Sequence, residues 1–529
     1  MSKLLHELPL DSAARSPDAP CLKHKAESLT YAEFAARLQQ FASALIALGL
    51  ERRDRVAVYL PKQFETVITM FGAARAGCVL VPVNPLLKPA QVAYILRDCN
   101  VRLLVTSAER YATLRESLAD CPDLAHVVIT DELRDAGAAR YAAHRWGDLP
   151  GSANASGHRV IDQDMVSIFY TSGSTGKPKG VVLSHKNMVT GAHSVAQYLH
   201  NVADDRILAA LPFSFDYGFS QLSTAFSVGA SVCLMDYLFA RDILTILERE
   251  RITGLAGVPP LWAQLADLSW PAALAEHVRY ITNSGGAMPG ATLRKLRQAL
   301  PRSEVFLMYG LTEAFRSTYL PPSEVERRPG SIGKAIPNAE ILIVRPDGTP
   351  CAPDEPGELV HRGSLVALGY WNDVPKTAER FKPAPGQPDG LKIPELAVWS
   401  GDTARTDADG YLYFIGRADE MIKTSGYRVS PTEVEEAAFA SGLVADAVAV
   451  GIPHESLGQV VALIVSPLPD RKPDTDALLR ACKTLLPTFM VPQHIRWQDS
   501  LPRNPNGKYD RPALAAQLRS SLQQQGEKS

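Results

Sequence analysis

Between Tyr31 and Thr106 the chain changes hydrophobic period five times, and this alternation narrows the folds open to it more than any other feature. YAEFAARLQQFASALIALGL carries apolar residues at helical spacing and stops at Gly49, and the strand-like RVAVYL follows. A helical FETVITMFGAARAG, a β run CVLVPV, a helical PAQVAYILRDC and a strand RLLVTS continue the cycle. It resumes at MVSIFYTS and runs to about Arg345. Elements that alternate in this way predict an α/β fold of layered subdomains on largely parallel sheets.

The texture then changes. ILIVRPDGTP, GELVHRGSLVALGYW and DGYLYFIGR read as short strands broken by Asp-Gly and Pro turns, a small β-rich subdomain. Beyond Arg417 the pattern is mixed, with helices in PTEVEEAAFAS and TDALLRACKTL and strands in ADAVAVGIP and VVALIVS. We therefore expect a large N-terminal domain over 1–417 and a small α+β C-terminal domain over 418–529. The polar SSLQQQGEKS reads as a frayed end.

Composition excludes several classes. A formal net charge of −2 argues against a general nucleic-acid or membrane-surface binder. No stretch reaches the length of an apolar membrane span, so no integral membrane segment is expected. Seven scattered cysteines without a CxxC spacing predict free thiols, and the acidic, proline-bearing N-terminus is unlike a signal peptide. Together these point to a cytoplasmic globular protein.

The chemistry-bearing stretch is YTSGSTGKPKG, Tyr170 to Gly180. A Walker-type loop would need glycine where Thr171 stands and a hydroxyl residue where Pro178 stands. What remains is a loop of hydroxyls (Thr171, Ser172, Ser174, Thr175), amides at Gly173 and Gly176, and Lys177 and Lys179. Those groups suit holding the β- and γ-phosphates of a nucleotide and releasing pyrophosphate. Its place between IFYTS and VVLS, two strand-like runs, argues against an interdomain linker.

YTSGSTGKPKGVVLSHKN resembles the signature of the adenylate-forming enzymes: acyl-CoA synthetases, peptide-synthetase adenylation domains and luciferases. NSGGAMP, MYGLTE, GELVHRGSLVALGYW, SGDTARTDADGY, GRADEMIKTSGYRVSPTEVEE and LPRNPNGKYDR follow in the order of that superfamily, over nearly the whole chain. The resemblance implies an AMP-forming acid–thiol ligase that uses ATP, Mg2+ and coenzyme A, or the phosphopantetheine of a separate acyl carrier protein. It implies that Thr312 and Glu313 meet the α-phosphate and magnesium, that Tyr309 and Gly310 with Gly285, Gly286 and Ala287 line the adenine, that Asp402 holds the ribose, and that Arg417 adds a ribose or phosphate contact. Lys508 would bridge the acid's carboxylate and the α-phosphate, carried in by a mobile small domain that pivots at Asp419. Ser425, Gly426 and Tyr427 would then face the thiol channel.

Two departures concern the acid. Where many acyl-CoA synthetases carry a histidine, Phe215 stands in LPFSFDYGFSQL. The following Asp216 resembles the aspartate with which peptide-synthetase domains hold a substrate amine, although beside Gly218 it also suits a turn. Arg316, three residues past Glu313, occupies a place where the family uses small or apolar side chains. It would read a polar group on the acid or pair with Asp216 or a nearby glutamate. SFDYG and TEAFRSTYL are similar to stretches of acyl-CoA ligases associated with exosortase systems. Nothing in the sequence identifies the carboxylic acid.

Overall fold

Strand alternation distributes the core of this fold. Along Arg55–Tyr59, Val56 and Val58 join one buried cluster while Ala57 and Tyr59 join another. Successive side chains of a strand point to opposite faces, so a strand apolar throughout is covered on both sides. The computed structural model describes residues 2–132, 140–150, 157–171, 178–388, 390, 392–417, 422–424, 427–454, 457–469, 471–486, 488–503 and 508–526. By contacts they form two units, Met1–Ile341 with Val360–Trp399 and Leu342–Leu359 with Ser400–Ser529.

The first unit holds two sheets. We number its strands β1 (Pro20–His24), β2 (Glu27–Thr30), β3 (Arg55–Tyr59), β4 (Val79–Pro82), β5 (Val101–Thr106), β6 (His126–Ile129), β7 (Ala142–Arg145), β8 (Met165–Thr171) and β9 (Lys179–Ser184). Then come β10 (Arg206–Ala209), β11 (Ser231–Leu234), β12 (Gly254–Gly257), β13 (Tyr280–Asn283), β14 (Glu304–Tyr309), β15 (Thr318–Leu320) and β16 (Ser331–Ala335). One sheet runs β9-β8-β4-β3-β5-β6-β7, with the short strand Gly369–Tyr370 outside β9. It is parallel from β8 to β7 and antiparallel at β8–β9. The other runs β16-β15-β14-β13-β12-β10-β11-β1-β2, parallel from β14 to β1.

Helices Tyr31–Ala47, Phe64–Ala76, His185–Tyr198 and Asp216–Val228 share one core with a face of each sheet. Phe71 stacks on Phe219 there, centroids 5.6 Å apart. A fully buried aromatic of this kind contributes about 1.5–3 kcal/mol by removal from water. Helices Pro89–Asp98 and Ala240–Arg249 belong to the cores on the outer faces. The α/β reading therefore holds, and its helix ends have local causes. Thr30 and Glu33 form a capping box at Tyr31, and Gly77, at φ 83°, closes the helix ending at Ala76.

In the second unit, Val444–His454 and Gly458–Pro467 are antiparallel, and Ile422–Thr424 and His494–Trp497 also pair with the latter. The same alternation recurs. Ala447 and Ala449 face Val434 and Leu478, while Val448 and Val450 face Leu514 and Leu518. The expected strands in ILIVRPDGTP, GELVHRG and LYFIGR are present as Ala339–Val344, Gly357–Gly363 and Leu412–Arg417. Among the described residues no helix is long and apolar enough to cross a membrane. All seven cysteines are unpaired.

Candidate functional site

Three parallel strands set the site's floor. Gly254, Tyr280 and Glu304 lie side by side at the starts of β12, β13 and β14, so the chain leaves all three strands at one edge. Ligands of open parallel sheets bind off the carboxyl ends of the strands. Here that edge carries Gly285–Ala287 after β13 and Tyr309–Gly310 at the end of β14. The Asn283 amide donates to the Gly286 carbonyl at 2.9 Å, and Gly285, at φ 80°, makes the turn that leaves 285–287 exposed.

Thr312 and Glu313 follow in a short 3-10 turn, and the Tyr370 segment holds them. The Tyr370 hydroxyl donates to Glu313 Oε1 at 2.6 Å, and the Ala367 N–H donates to the Glu313 carbonyl at 2.8 Å. The same segment is tied to β9, where Leu368 N–H donates to Val182 and Trp371 N–H to Gly180, at 2.8 and 2.7 Å. Lys179, opposite Thr171 across the β8–β9 pair, puts its ammonium 5.7 Å from the Tyr370 ring centroid. Desolvation, then the charge of Lys376, lowers the Lys179 pKa. Desolvation, then Glu313, raises that of Tyr370. The hairpin bearing the glycine-rich loop is thus fastened beside Glu313. Ser172, Gly173, Ser174, Thr175, Gly176 and Lys177 lie outside the described residues.

Tyr370 has no role in the sequence reading, although it stands inside a quoted motif. Its partner lies 57 positions upstream, so no local pattern signals the pair.

Asp216 and Arg316 come together near Thr312, and Phe215 directly precedes Asp216. Phe215 precedes the helix Asp216–Val228. At Gly218 a Cβ would sit 1.8 Å from the Pro212 carbonyl oxygen, so glycine alone permits this close entry to the helix. Asp216 is the first residue of the helix, and its Oδ1 accepts from the Thr312 hydroxyl at 3.2 Å. Burial raises its carboxyl pKa, and the Arg316 charge opposes the shift.

A raised folded-state pKa means that the folded chain binds this proton at a pH where the unfolded chain has lost it. The carboxyl then costs nothing below its unfolded pKa, and the penalty is complete above the raised one. Asp216→Asn is therefore expected to raise Tm at about pH 8, with the gain fading as pH falls from the raised pKa to the ordinary carboxylate pKa. A pH-independent difference in melting curves would contradict this.

Arg316 is only 1% exposed, and its Nε and Nη2 have no hydrogen-bond partner. Its guanidinium carbon lies 4.8 Å from the Tyr217 ring centroid. The expected alternative of a salt bridge to Asp216 or a glutamate is corrected: among the described residues no carboxylate lies within 4.0 Å of it. The neighbouring backbone explains its burial. Phe315 adopts φ 55°, rare for a residue with a side chain, and its ring packs where a Cβ on Gly191 would lie 2.4 Å away. Arg316 lines a cavity of about 30 Å³ with Tyr217, Ser220, Gln221, Thr224 and Thr282.

In the second unit Asp402 and Arg417 are direct cross-strand partners on Leu396–Thr406 and Leu412–Arg417. Asp402 is buried, and its N–H donates to Ser400 Oγ at 3.0 Å. The Arg417 and Tyr427 side chains, Asp419, Ser425 and Gly426 lie outside the described residues. Lys508 is exposed. The neck of its loop is fastened by a backbone bridge from Arg503 to Tyr509, by Arg503 stacked 4.0 Å over the Tyr509 ring, and by Arg503 Nη2 on Asp446 at 2.7 Å.

Among the described residues no three His, Cys, Asp or Glu side chains converge as a metal cage. Glu313 offers a hard carboxylate whose Oε1 is oriented by the Tyr370 hydroxyl. That donor set fits magnesium, which takes one or two carboxylates together with substrate phosphates and water.

The sequence profile of the AMP-binding enzyme family matches residues 10–371, and that of the AMP-binding enzyme C-terminal domain matches 433–508. Indoleacetate–CoA ligase of Aromatoleum aromaticum is 31% identical over 505 residues, 94% of each chain. The L-proline–[L-prolyl-carrier protein] ligase of Pseudomonas fluorescens is 31% identical over 98% of this chain and 99% of its own. A linear gramicidin synthase of Brevibacillus parabrevis is 29% identical over 96% of this chain, which spans only 10% of that much longer protein. The crystal structure of the anthranilate CoA ligase AuaEII in complex with anthranoyl-AMP superposes with a TM-score of 0.86, at 25% identity over 98% of both chains.

Proposed function

The chain belongs to the AMP-binding enzyme family, and on that premise we propose that it activates a carboxylic acid with ATP and passes the acyl group to a pantetheine thiol, that of coenzyme A. One carboxylate oxygen attacks the α-phosphorus of ATP, and the bond to pyrophosphate breaks. A thiolate then attacks the acyl carbon of the adenylate, and AMP leaves with the bonding pair. The observation that carries this reading is the Lys179–Tyr370–Glu313 group fastened beside the β8–β9 hairpin, at the edge where 285–287 and Tyr309 emerge.

In this reading the hydroxyls and lysines of 171–179 clamp the pyrophosphate as it departs. Tyr309 and 285–287 flank the adenine, and Asp402 accepts from the ribose hydroxyls with Arg417 beside it. The Thr312 hydroxyl, which donates to Asp216 here, would turn its one proton to the α-phosphate. Glu313 would hold magnesium against the phosphates, where the ion supplies charge neutralisation as two anions are forced together. Lys508 brings the final cation on a small domain that turns at Asp419. That turn would later present Ser425–Tyr427 to the thiol. Seven unpaired cysteines suit the reducing cytoplasm this chemistry occupies.

Incubation with ATP and a panel of fatty, aryl, hydroxy and amino acids tests the reading: AMP and pyrophosphate are expected, and ADP would refute it. Tyr370→Phe removes only the hydroxyl that orients Glu313. We expect AMP formation to fall about 10-fold, in the range for losing a group that aims a metal ligand, with Tm nearly unchanged. Wild-type turnover in that variant would deny Tyr370 this role.

A second reading differs only in the acceptor. The relative that loads a carrier protein matches this chain along its whole length, so the thiol of a separate acyl carrier protein is the alternative. Supplying coenzyme A and a phosphopantetheinylated carrier separately, with mass detection of the thioester, separates the two.

A further inference from the structure

Arg316 carries hydrogen-bonding capacity that no protein group uses. The other polar groups around its cavity satisfy one another. Tyr217 OH and Thr282 Oγ1 are 2.6 Å apart, Ser220 and Thr224 share a hydroxyl contact at 3.2 Å, and the Gln221 amide donates to the Gly218 carbonyl at 2.8 Å. Among the residues lining the cavity, only Arg316 has buried side-chain atoms without a partner. Burying a guanidinium with two donors unbonded is costly, and the Tyr217 ring and the nearby Asp216 carboxyl offset only part of that cost. The cost is recovered when an anion arrives.

The identity of the two unpartnered atoms selects the anion. Nε and Nη2 form one edge of the guanidinium, two parallel N–H donors that match the two oxygens of a carboxylate. A lone hydroxyl or keto oxygen would engage one of them and leave the other buried. The cavity's size adds a second constraint. About 30 Å³ holds one or two waters, so a compact group enters it and a long alkyl or bulky aryl tail does not.

Its position ties it to the acid. Arg316 follows Glu313 by three residues, and Tyr217, which also lines the cavity, follows Asp216, the residue bonded to Thr312. The remainder of an acid whose carboxylate lies at Thr312 and Glu313 thus has the Asp216–Tyr217 wall and the Arg316 cavity before it.

We propose that the acid activated by this enzyme is a short dicarboxylic acid, whose second carboxylate is received side-on by Arg316. This rests on the carboxylate-activation reading above and adds the substrate class to it.

The test pairs succinic and glutaric acids with butyric and pentanoic acids of equal length, in the wild type, Arg316→Met and Arg316→Lys. Pyrophosphate release gives kcat and KM, and thermal shift with each acid gives binding without turnover. We expect the wild type to favour the dicarboxylic acids by about 100-fold or more in kcat/KM. Arg316→Met should erase that preference through KM while the monocarboxylic acids change little, and Arg316→Lys should restore part of it. Equal use of both acid types by the wild type, or a parallel loss on both in Arg316→Met, overturns the inference. Should no acid yield pyrophosphate, the activation reading falls, and binding still decides this one. Stabilisation of the wild type by dicarboxylic acids that Arg316→Met abolishes supports it, and equal shifts with both acid types, or none, overturn it. If Arg316→Met does not fold, the wild-type preference and Arg316→Lys decide alone.

Discussion

Lys508→Ala is expected to cut acyl-adenylate formation by about three orders of magnitude, while transfer from a supplied acyl-adenylate to coenzyme A stays within a few-fold of wild type. The asymmetry follows from charge. Adenylation presses a carboxylate against an α-phosphate, and the developing charge needs a cation poised between them. Thioester formation starts from an adenylate whose acyl group is already uncharged, so no carboxylate has to be pressed against a phosphate. Folding should be untouched, because Lys508 is exposed and its loop is held by Arg503, Tyr509 and Asp446. Equal losses in both half-reactions, measured by pyrophosphate release and by thioester formation from synthetic adenylate, would sink this role and the domain turn argued from it.

Glu313→Gln should lower AMP formation about 100- to 1000-fold, because one anionic oxygen is exchanged for a neutral amide at the point of greatest charge. The substitution is nearly isosteric. Its amide oxygen still accepts from Tyr370, so geometry is kept and charge alone is removed. The loss should be partly recovered at high magnesium concentration. Turnover close to wild type at every magnesium level would place the ion elsewhere. The contrast with Tyr370→Phe separates charge from aim: the glutamine variant keeps the aim, the phenylalanine variant the charge.

The layered α/β architecture and the order of the nucleotide-handling segments were legible in the linear chain. Period changes mark where strands end and helices begin, and chemistry such as Thr-Glu or Gly-Gly-Ala demands particular residue types in a fixed local frame. Asp402 and Arg417 are an intermediate case. Both were named from motifs, and the antiparallel register brings them opposite each other. Tyr370 escaped notice because its function is a bond to a distant residue. Arg316 stood out as an oddity, with a salt bridge among its expected partners.

By itself, then, the sequence determined the family and the order of its motifs, and from them the groups we propose to meet ATP and the lysine we propose to complete them. Only the tertiary structure decided what surrounds Arg316. Phe315 turns into the left-handed region, Gly191 leaves room for its ring, and the neighbouring polar groups pair among themselves, so Arg316 is buried with one donor edge unspent. Burial and partner choice are sums over contacts from many parts of the chain, and no single stretch contains them.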